Sequence, residues 1–230
     1  MQIHSDQLYG VTLTATDGKI GTVKDLYFDD ENWILRYLVV ETDSWLFKRK
    51  VLISPCALVF NEKLNLDALP VSLSKEQIKN SPHIDTDMPV SRQEESSLFN
   101  HYSWPVNGRA GLGYPTTAML KEVSAQQSRL EHQDKFDPNL RSLQHISQYS
   151  VHNPEGIIGR AKDLVIELPD WTIPYLLIDD IFTSDEERVL VSTDQIVSID
   201  WNTRQISVSM SRDELQKAYR INPPGFFSNR

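Results

Sequence analysis

Hydrophobic and polar positions in this chain read as strands rather than helices. Residues 19–29 alternate imperfectly: Ile20, Leu26 and Phe28 share one parity, while Val23 and Tyr27 share the other. A bulge or strong bend near Lys24 reconciles them, because it puts Val23 and Leu26 on one face. Asp29-Asp30-Glu31-Asn32 makes a polar turn, and Trp33 to Glu41 is the next strand. A hairpin around Trp45 to Lys50 leads into Val51 to Ser54, which Pro55 stops. Short strands follow at 57–60 and 63–66, and then a helical turn with Ser74 as N-cap and Gln77 three residues on. Strands at this spacing, separated by turn signals, indicate a barrel or sandwich.

The same pattern returns further along the chain at one fixed offset, the step from Gly18 to Gly156. Gly18, Ile20, Gly21, Lys24, Asp25, Leu26, Trp33, Tyr37 and Leu38 fall on Gly156, Ile158, Gly159, Lys162, Asp163, Leu164, Trp171, Tyr175 and Leu176. Val51-Leu52-Ile53-Ser54 falls on Val189-Leu190-Val191-Ser192 at the same offset. One residue of slippage later, Val71-Ser72-Leu73-Ser74-Lys75 meets Val208-Ser209-Met210-Ser211-Arg212. So many identities in one order read as a tandem duplication. The divisions are residues 1–80 for the first copy, 81–139 for a linker, 140–220 for the second copy and 221–230 for a tail. A domain of about this size buries only about 60% of its unfolded surface, so each copy gains by packing on the other or under the linker. The shared glycines and aromatics read as architecture: close backbone approach and turns for Gly18 and Gly21, core for Trp33 and Tyr37.

Asp17-Gly-Lys-Ile-Gly-Thr-Val-Lys-Asp-Leu, then Trp33-Ile-Leu-Arg-Tyr-Leu-Val-Val and Val51-Leu-Ile-Ser-Pro, strongly resemble the PRC-barrel family. That family includes the cytoplasmic domain of the photosynthetic reaction-centre H subunit and the carboxy-terminal domain of a ribosome-maturation factor. The second copy departs from the pattern at Pro169 and Pro174 and has Thr193 where the first has Pro55. The resemblance covers residues 6–80 and 140–218. It implies a mainly β fold of two small barrels joined by a partly helical linker, used for binding proteins rather than for chemistry.

The linker differs in composition from both flanks. Ser91-Arg92-Gln93-Glu94 is a capping box ahead of a short helix, with Leu98, Phe99 and Tyr102 at helical spacing. Trp104-Pro105 ends it, and Gly108, Gly111, Gly113 and Pro115 mark a turn-rich stretch around Tyr114. Phe99, Tyr102, Trp104 and Tyr114 either fill a groove on their own barrels or form a partner-binding surface, since aromatics are enriched in binding hot spots.

Composition then removes several classes of function. Lys+Arg 23 against Asp+Glu 32 gives a net charge of -9, which argues against nucleic acid or an anionic membrane surface as the main partner. Cys56 is the only cysteine, which excludes an intramolecular disulfide and any multi-cysteine metal site. Met1 to Asp6 lacks the basic start and apolar run of a secretory signal, and no stretch approaches the roughly 18 apolar residues that span a bilayer. A cytoplasmic protein without membrane insertion is the expectation. There is no Gly-x-Ser-x-Gly, no phosphate-cradling Gly-x-x-x-x-Gly-Lys-Ser/Thr and no Gly-x-Gly-x-x-Gly.

Three groups remain as candidates. His83, Asp85 and Asp87 lie at alternate positions and offer metal-ligand chemistry, though without a second fixed histidine. Lys24-Asp25 recurs as Lys162-Asp163, as an acid–base pair or as a contact repeated with the fold. Lys48-Arg49-Lys50 is a basic tip whose counterpart in the second copy is the acidic run Asp185-Glu186-Glu187, so the two tips can attract each other within a chain or between chains. The reading is a non-catalytic protein-binding or scaffold module with no cofactor, an unidentified protein partner and possible self-association. The alternatives are a metal-binding protein or metal-dependent enzyme using the 83–87 loop, and an electron-transfer accessory like the reaction-centre subunit.

Overall fold

The computed structural model describes residues 1–59, 67–82, 97–98, 100–103, 140–180, 188–218 and 220–221. The chain is mainly β with a few short helices. In the N-terminal part the strands are β1 (Gln2–His4), β2 (Thr12–Ala15), β3 (Gly18–Asp29), β4 (Ile34–Thr42), β5 (Lys50–Ile53) and β6 (Ala68–Pro70). Helix α1 (Lys75–Lys79) follows, capped by Ser74 with Gln77 completing the capping box. In the C-terminal part come β7 (Leu140–Ser142), α2 (Leu143–Ile146), β8 (Ser150–Asn153), β9 (Gly156–Glu167), β10 (Thr172–Asp180) and β11 (Arg188–Ser192). The last elements are β12 (Ile196–Asp200), β13 (Gln205–Val208), α3 (Arg212–Lys217) and β14 (Arg220–Ile221). A 3-10 turn at Ser5–Leu8 holds the place in the first part that α2 holds in the second.

Strand β3 slips register against β4 between Val23 and Asp25, so Lys24 is skipped, and Val23 and Leu26 are both buried. The β9–β10 ladder skips Lys162 in the same way. Extra residues at these places bend the two long strands. Each bent strand then pairs with different neighbours along its length. The first half of β3 pairs with β2 and its second half with β7, while β9 pairs first with β8 and then with β1.

Those second-half partners come from the opposite part of the chain. His4 sits across from Val165, Ile3 from Ile166 and Gln2 from Glu167. Ser142 sits across from Tyr27, Arg141 from Phe28 and Leu140 from Asp29. Every residue of the second set stands one repeat offset from its counterpart in the first. Where β4 meets β10, Ile34 faces Thr172, its own equivalent in the other copy. The Leu35 amide donates to the Trp171 carbonyl at 2.9 Å, and the Ile173 amide donates to the Trp33 carbonyl at 2.7 Å. The contact therefore has the form of a local two-fold relation.

This exchange alters the expected architecture. Two separately closed barrels are what the sequence predicts. The described strands form one 14-stranded hydrogen-bonded sheet that does not close on itself, with β1 and β7 each pairing beside the other part's long strand. One core cluster runs through both parts, from Leu13, Ile20 and Leu38 to Ile158, Leu176 and Val191. Tyr37 and Trp171 are fully buried in it, and Trp33 stacks on Phe28 with ring centroids 5.5 Å apart. Among the described residues, no helix is long and apolar enough to cross a membrane. Residues 60–66, which hold the predicted strand 63–66 and the end of 57–60, lie outside the described residues. Leu58 makes an isolated bridge to Val71.

Gly21 and Gly159 are places in the two bent ladders with no room for a side chain. A Cβ on Gly21 would collide with the Glu41 carbonyl, and one on Gly159 with the Asp179 carbonyl. Backbone on both sides leaves nothing flexible to move aside. Gly21→Ala and Gly159→Ala are each expected to lose about 2–3 kcal/mol of stability in urea unfolding; a loss at only one of them would show that the two bends are not equivalent.

Candidate functional site

The repeated Lys-Asp pair is the natural place to look for chemistry, and the structure divides each pair. Lys24 Nζ lies 3.8 Å from Glu41 and Lys162 Nζ lies 2.9 Å from Asp179, in equivalent cross-strand positions on the surface. Exposed ion pairs of this kind contribute about 0–1 kcal/mol. The two aspartates are engaged elsewhere, each by the opposite part of the chain.

Asp163 is buried, at 5% exposure. Its carboxylate accepts from the Leu164 amide at 2.8 Å, the Asp6 amide at 3.2 Å and the Ser5 hydroxyl, while His4 Nδ1 lies 3.1 Å from its other oxygen. Asp25 accepts from the Leu26 amide at 2.8 Å, the Gln144 amide at 3.2 Å, the Ser142 hydroxyl at 2.6 Å and the Tyr9 hydroxyl at 3.4 Å. Asp6 and Gln144 stand one repeat offset apart, so both carboxylates receive the first-turn amide of the helical segment that follows the exchanged strand. A charged acceptor there satisfies donors that the turn leaves without an internal partner. These are two clasps, one on each exchanged segment.

The clasps differ in their electrostatics. Burial, with the nearby charge of Asp163 added, raises the Asp6 carboxyl above its ordinary value, and His4 and Arg188 partly offset this. Burial also raises the Tyr9 phenol, and the carboxylates of Asp25 and Asp163 push it further, so Tyr9 remains a neutral donor. His4, Asp6 and Asp163 are the group among the described residues whose donor atoms, all within 4.8 Å of one another, can hold a metal ion. The equivalent positions are Ser142, Gln144 and Asp25, which offer one carboxylate and no imidazole. In the clasp as built, both Asp163 oxygens accept hydrogen bonds. Ser5 is fully buried, and its hydroxyl donates to the Asp163 carboxylate while accepting from the Leu164 amide at 3.2 Å.

Of the aromatic linker set, Tyr102 is described and is 7% exposed, in the core cluster with Leu98. Residues 97, 98 and 100–102 are helical, and the His101 Nε2 proton is given to the Gln77 carbonyl at 2.7 Å. Burial raises the Tyr102 phenol, while Ser81 and Arg49 beside it pull the other way. The turn therefore lies against α1 and the chain that follows it. Phe99, Trp104 and Tyr114 are outside the described residues, as are His83, Asp85 and Asp87 and the acidic run Asp185, Glu186 and Glu187.

The basic tip is described and its three cations are not alike. Arg49 reaches back to the end of α1, donating to the carbonyls of Lys79 at 3.3 Å, Ser81 at 2.9 Å and Pro82 at 2.6 Å. It acts as a brace that satisfies carbonyls after the helix. Lys48 and Lys50 are exposed. Sequence reasoning noted the charges here but not the bracing, nor the roles of His4, Ser5, Asp6, Ser142 and Gln144. The one signal available was the recurrence of Asp25 and Asp163 at equivalent places.

A family model described as the PRC-barrel domain matches residues 2–78. No curated protein matches the chain. The matched stretch begins at Gln2 and so includes β1, whose pairing partner is β9.

Removing charge from a clasp tests its weight. Asp163→Asn is expected to cost about 2–3 kcal/mol in urea unfolding and the less buried Asp25→Asn about 1 kcal/mol, whereas Lys24→Ala and Lys162→Ala stay within about 0.5 kcal/mol. Equal small losses in all four would show that the carboxylates do not hold the seam.

Proposed function

We propose, from the premise that residues 2–78 are a PRC-barrel domain, that the chain is a non-catalytic scaffold of two PRC-type units, related by duplication, that binds another protein. PRC-barrel domains are generally non-catalytic modules. The observation that carries the reading is the use made of Asp25 and Asp163. The residues that recur like a catalytic pair are consumed in joining the two parts, and the lysines next to them pair separately on the surface. The equivalent register of the two exchanged strands supports the duplication. Strand pairing already sets how the two parts sit together, which leaves the surfaces around the seam and the linker to meet a partner.

In this reading Tyr102 anchors the linker on the chain's own core, and Phe99, Trp104 and Tyr114 supply the aromatic contacts to the partner. Rigid aromatic side chains give large contact area at low entropy cost, which is why they dominate binding hot spots. The test is affinity capture on the full chain from native lysate, followed by reconstitution of any near-stoichiometric protein with the purified chain. Phe99→Ala with Trp104→Ala is expected to weaken the reconstituted complex by about tenfold or more without moving the melting temperature. Absence of a specific partner, together with stoichiometric metal in the purified chain that is lost on Asp85→Ala, would replace this reading with the metal-dependent one on His83, Asp85 and Asp87.

A further inference from the structure

The basic tip carries a feature that its charges alone do not explain. Phe47 is 93% exposed, more than any other large hydrophobic residue among those described. It and Lys48 both adopt left-handed backbone conformations, with φ of 55° and 57°. A bulky residue rarely adopts such a φ, so two in succession are held there by their surroundings. The holding contacts are visible. Leu46 is buried, Trp45 Nε1 donates to the Ile20 carbonyl at 2.8 Å, and Arg49 is forked onto the chain after α1. A braced base thus presents an exposed phenyl ring beside exposed lysines.

The local charge is opposite in sign to the chain's. Arg49 ties the tip to the end of α1, which brings Lys75 and Lys79, and Lys75 Nζ lies 5.4 Å from the centre of the Trp45 ring. Against these cations, Glu76 is the acid of α1, Asp43 lies 3.2 Å from Lys19, Asp17 accepts the Lys75 amide at 2.8 Å, and Glu41 stands across from Lys50 and 3.8 Å from Lys24, so with Lys19 and Lys24 the cations of this end still outnumber its acids. The rest of the chain is acidic, with a net charge of -9 for the whole. The whole-chain charge argues against an anionic surface as the main partner, but this end of the molecule has the sign and the apolar group to meet one.

We propose that the tip from Phe47 to Lys50 docks on an anionic lipid surface, with the Phe47 ring entering the boundary between headgroups and acyl chains and Lys48 lying among the phosphates. A protein interface needs on the order of 800 Å² per partner around a packed apolar centre. A single ring flanked by cations does not supply that. A headgroup layer accepts one without shape complementarity, and cations near it add to the attraction. The inference stands apart from the scaffold reading, since either can hold without the other.

The test is co-sedimentation of the full chain with vesicles of phosphatidylcholine and phosphatidylserine mixed about two to one, against phosphatidylcholine alone. Binding is expected to the anionic vesicles, falling in about 0.5 M salt. Phe47→Asn, a polar residue that tolerates the left-handed backbone, should lower it by at least about tenfold, and Lys48→Glu severalfold. Both side chains are exposed, so melting temperatures should stay unchanged and report that the variants are folded. In Phe47→Trp, lipids brominated in the acyl chain should quench more fluorescence than in the wild type. No binding to anionic vesicles, or binding that ignores Phe47, overturns the proposal. So does salt-sensitive self-association in place of vesicle binding, which would assign the tip to an acidic protein surface.

Discussion

Strand β1 finds its hydrogen-bonding partner in β9, and β7 finds its own in β3. Main-chain amides and carbonyls that are taken out of water must be paired, so a long strand bent at a bulge has to obtain a neighbour for its far half. In this chain the neighbour is supplied by the other part, at the same register on both sides. Each part on its own leaves one half of its longest strand as an unpaired edge, which is a liability for an isolated small domain. The exchange removes both edges at once and joins the cores beneath them.

The clasps follow from that arrangement. A strand that crosses to another part of the molecule needs something at its end to stop it fraying, and Asp25 and Asp163 take the first amides of the segment that follows. The two clasps place the carboxylate alike and surround it differently. His4 and Ser5 surround Asp163, and Ser142 and Tyr9 surround Asp25. Keeping the carboxylate while changing its partners between the copies suits a structural joint, in which any donor of the right reach serves. The braced tip at 45–50 is a different kind of feature. Its buried side chains and its arginine are spent on rigidity, and what rigidity presents is Phe47.

Much of this was legible in the sequence. The alternation around Val23 and Leu26 called for a bulge at Lys24, and the ladder slips there. Ser74 and Gln77 announced the capping box of α1, and Pro55 marked the end of β5. Gly21 and Gly159, one repeat offset apart, each lie against a backbone carbonyl that a side chain would strike. What periodicity does not carry is which copy a strand pairs with. Residues 2–4 satisfy β3 or β9 equally well as a pattern, because the two strands carry matching residues at the repeat offset. Asp25 was visible as a repeated charge, but its partners Ser142 and Gln144 lie in the other copy, far along the chain. The exposure of Phe47 was hidden for a simpler reason: a phenylalanine beside Trp45 and Leu46 reads as core until the backbone turns it outward.

The account turns on whether residues 1–8 belong energetically to the part of the chain they lie against. Native-state hydrogen exchange on the full chain, followed through low concentrations of denaturant, measures this directly. The account predicts that the amides of residues 2–8 become exchangeable in the same opening step as those of β9 and β10. Residues 2–8 exchanging freely while β9 stays protected, or opening together with β2 and β3 while β9 and β10 remain closed, would contradict it.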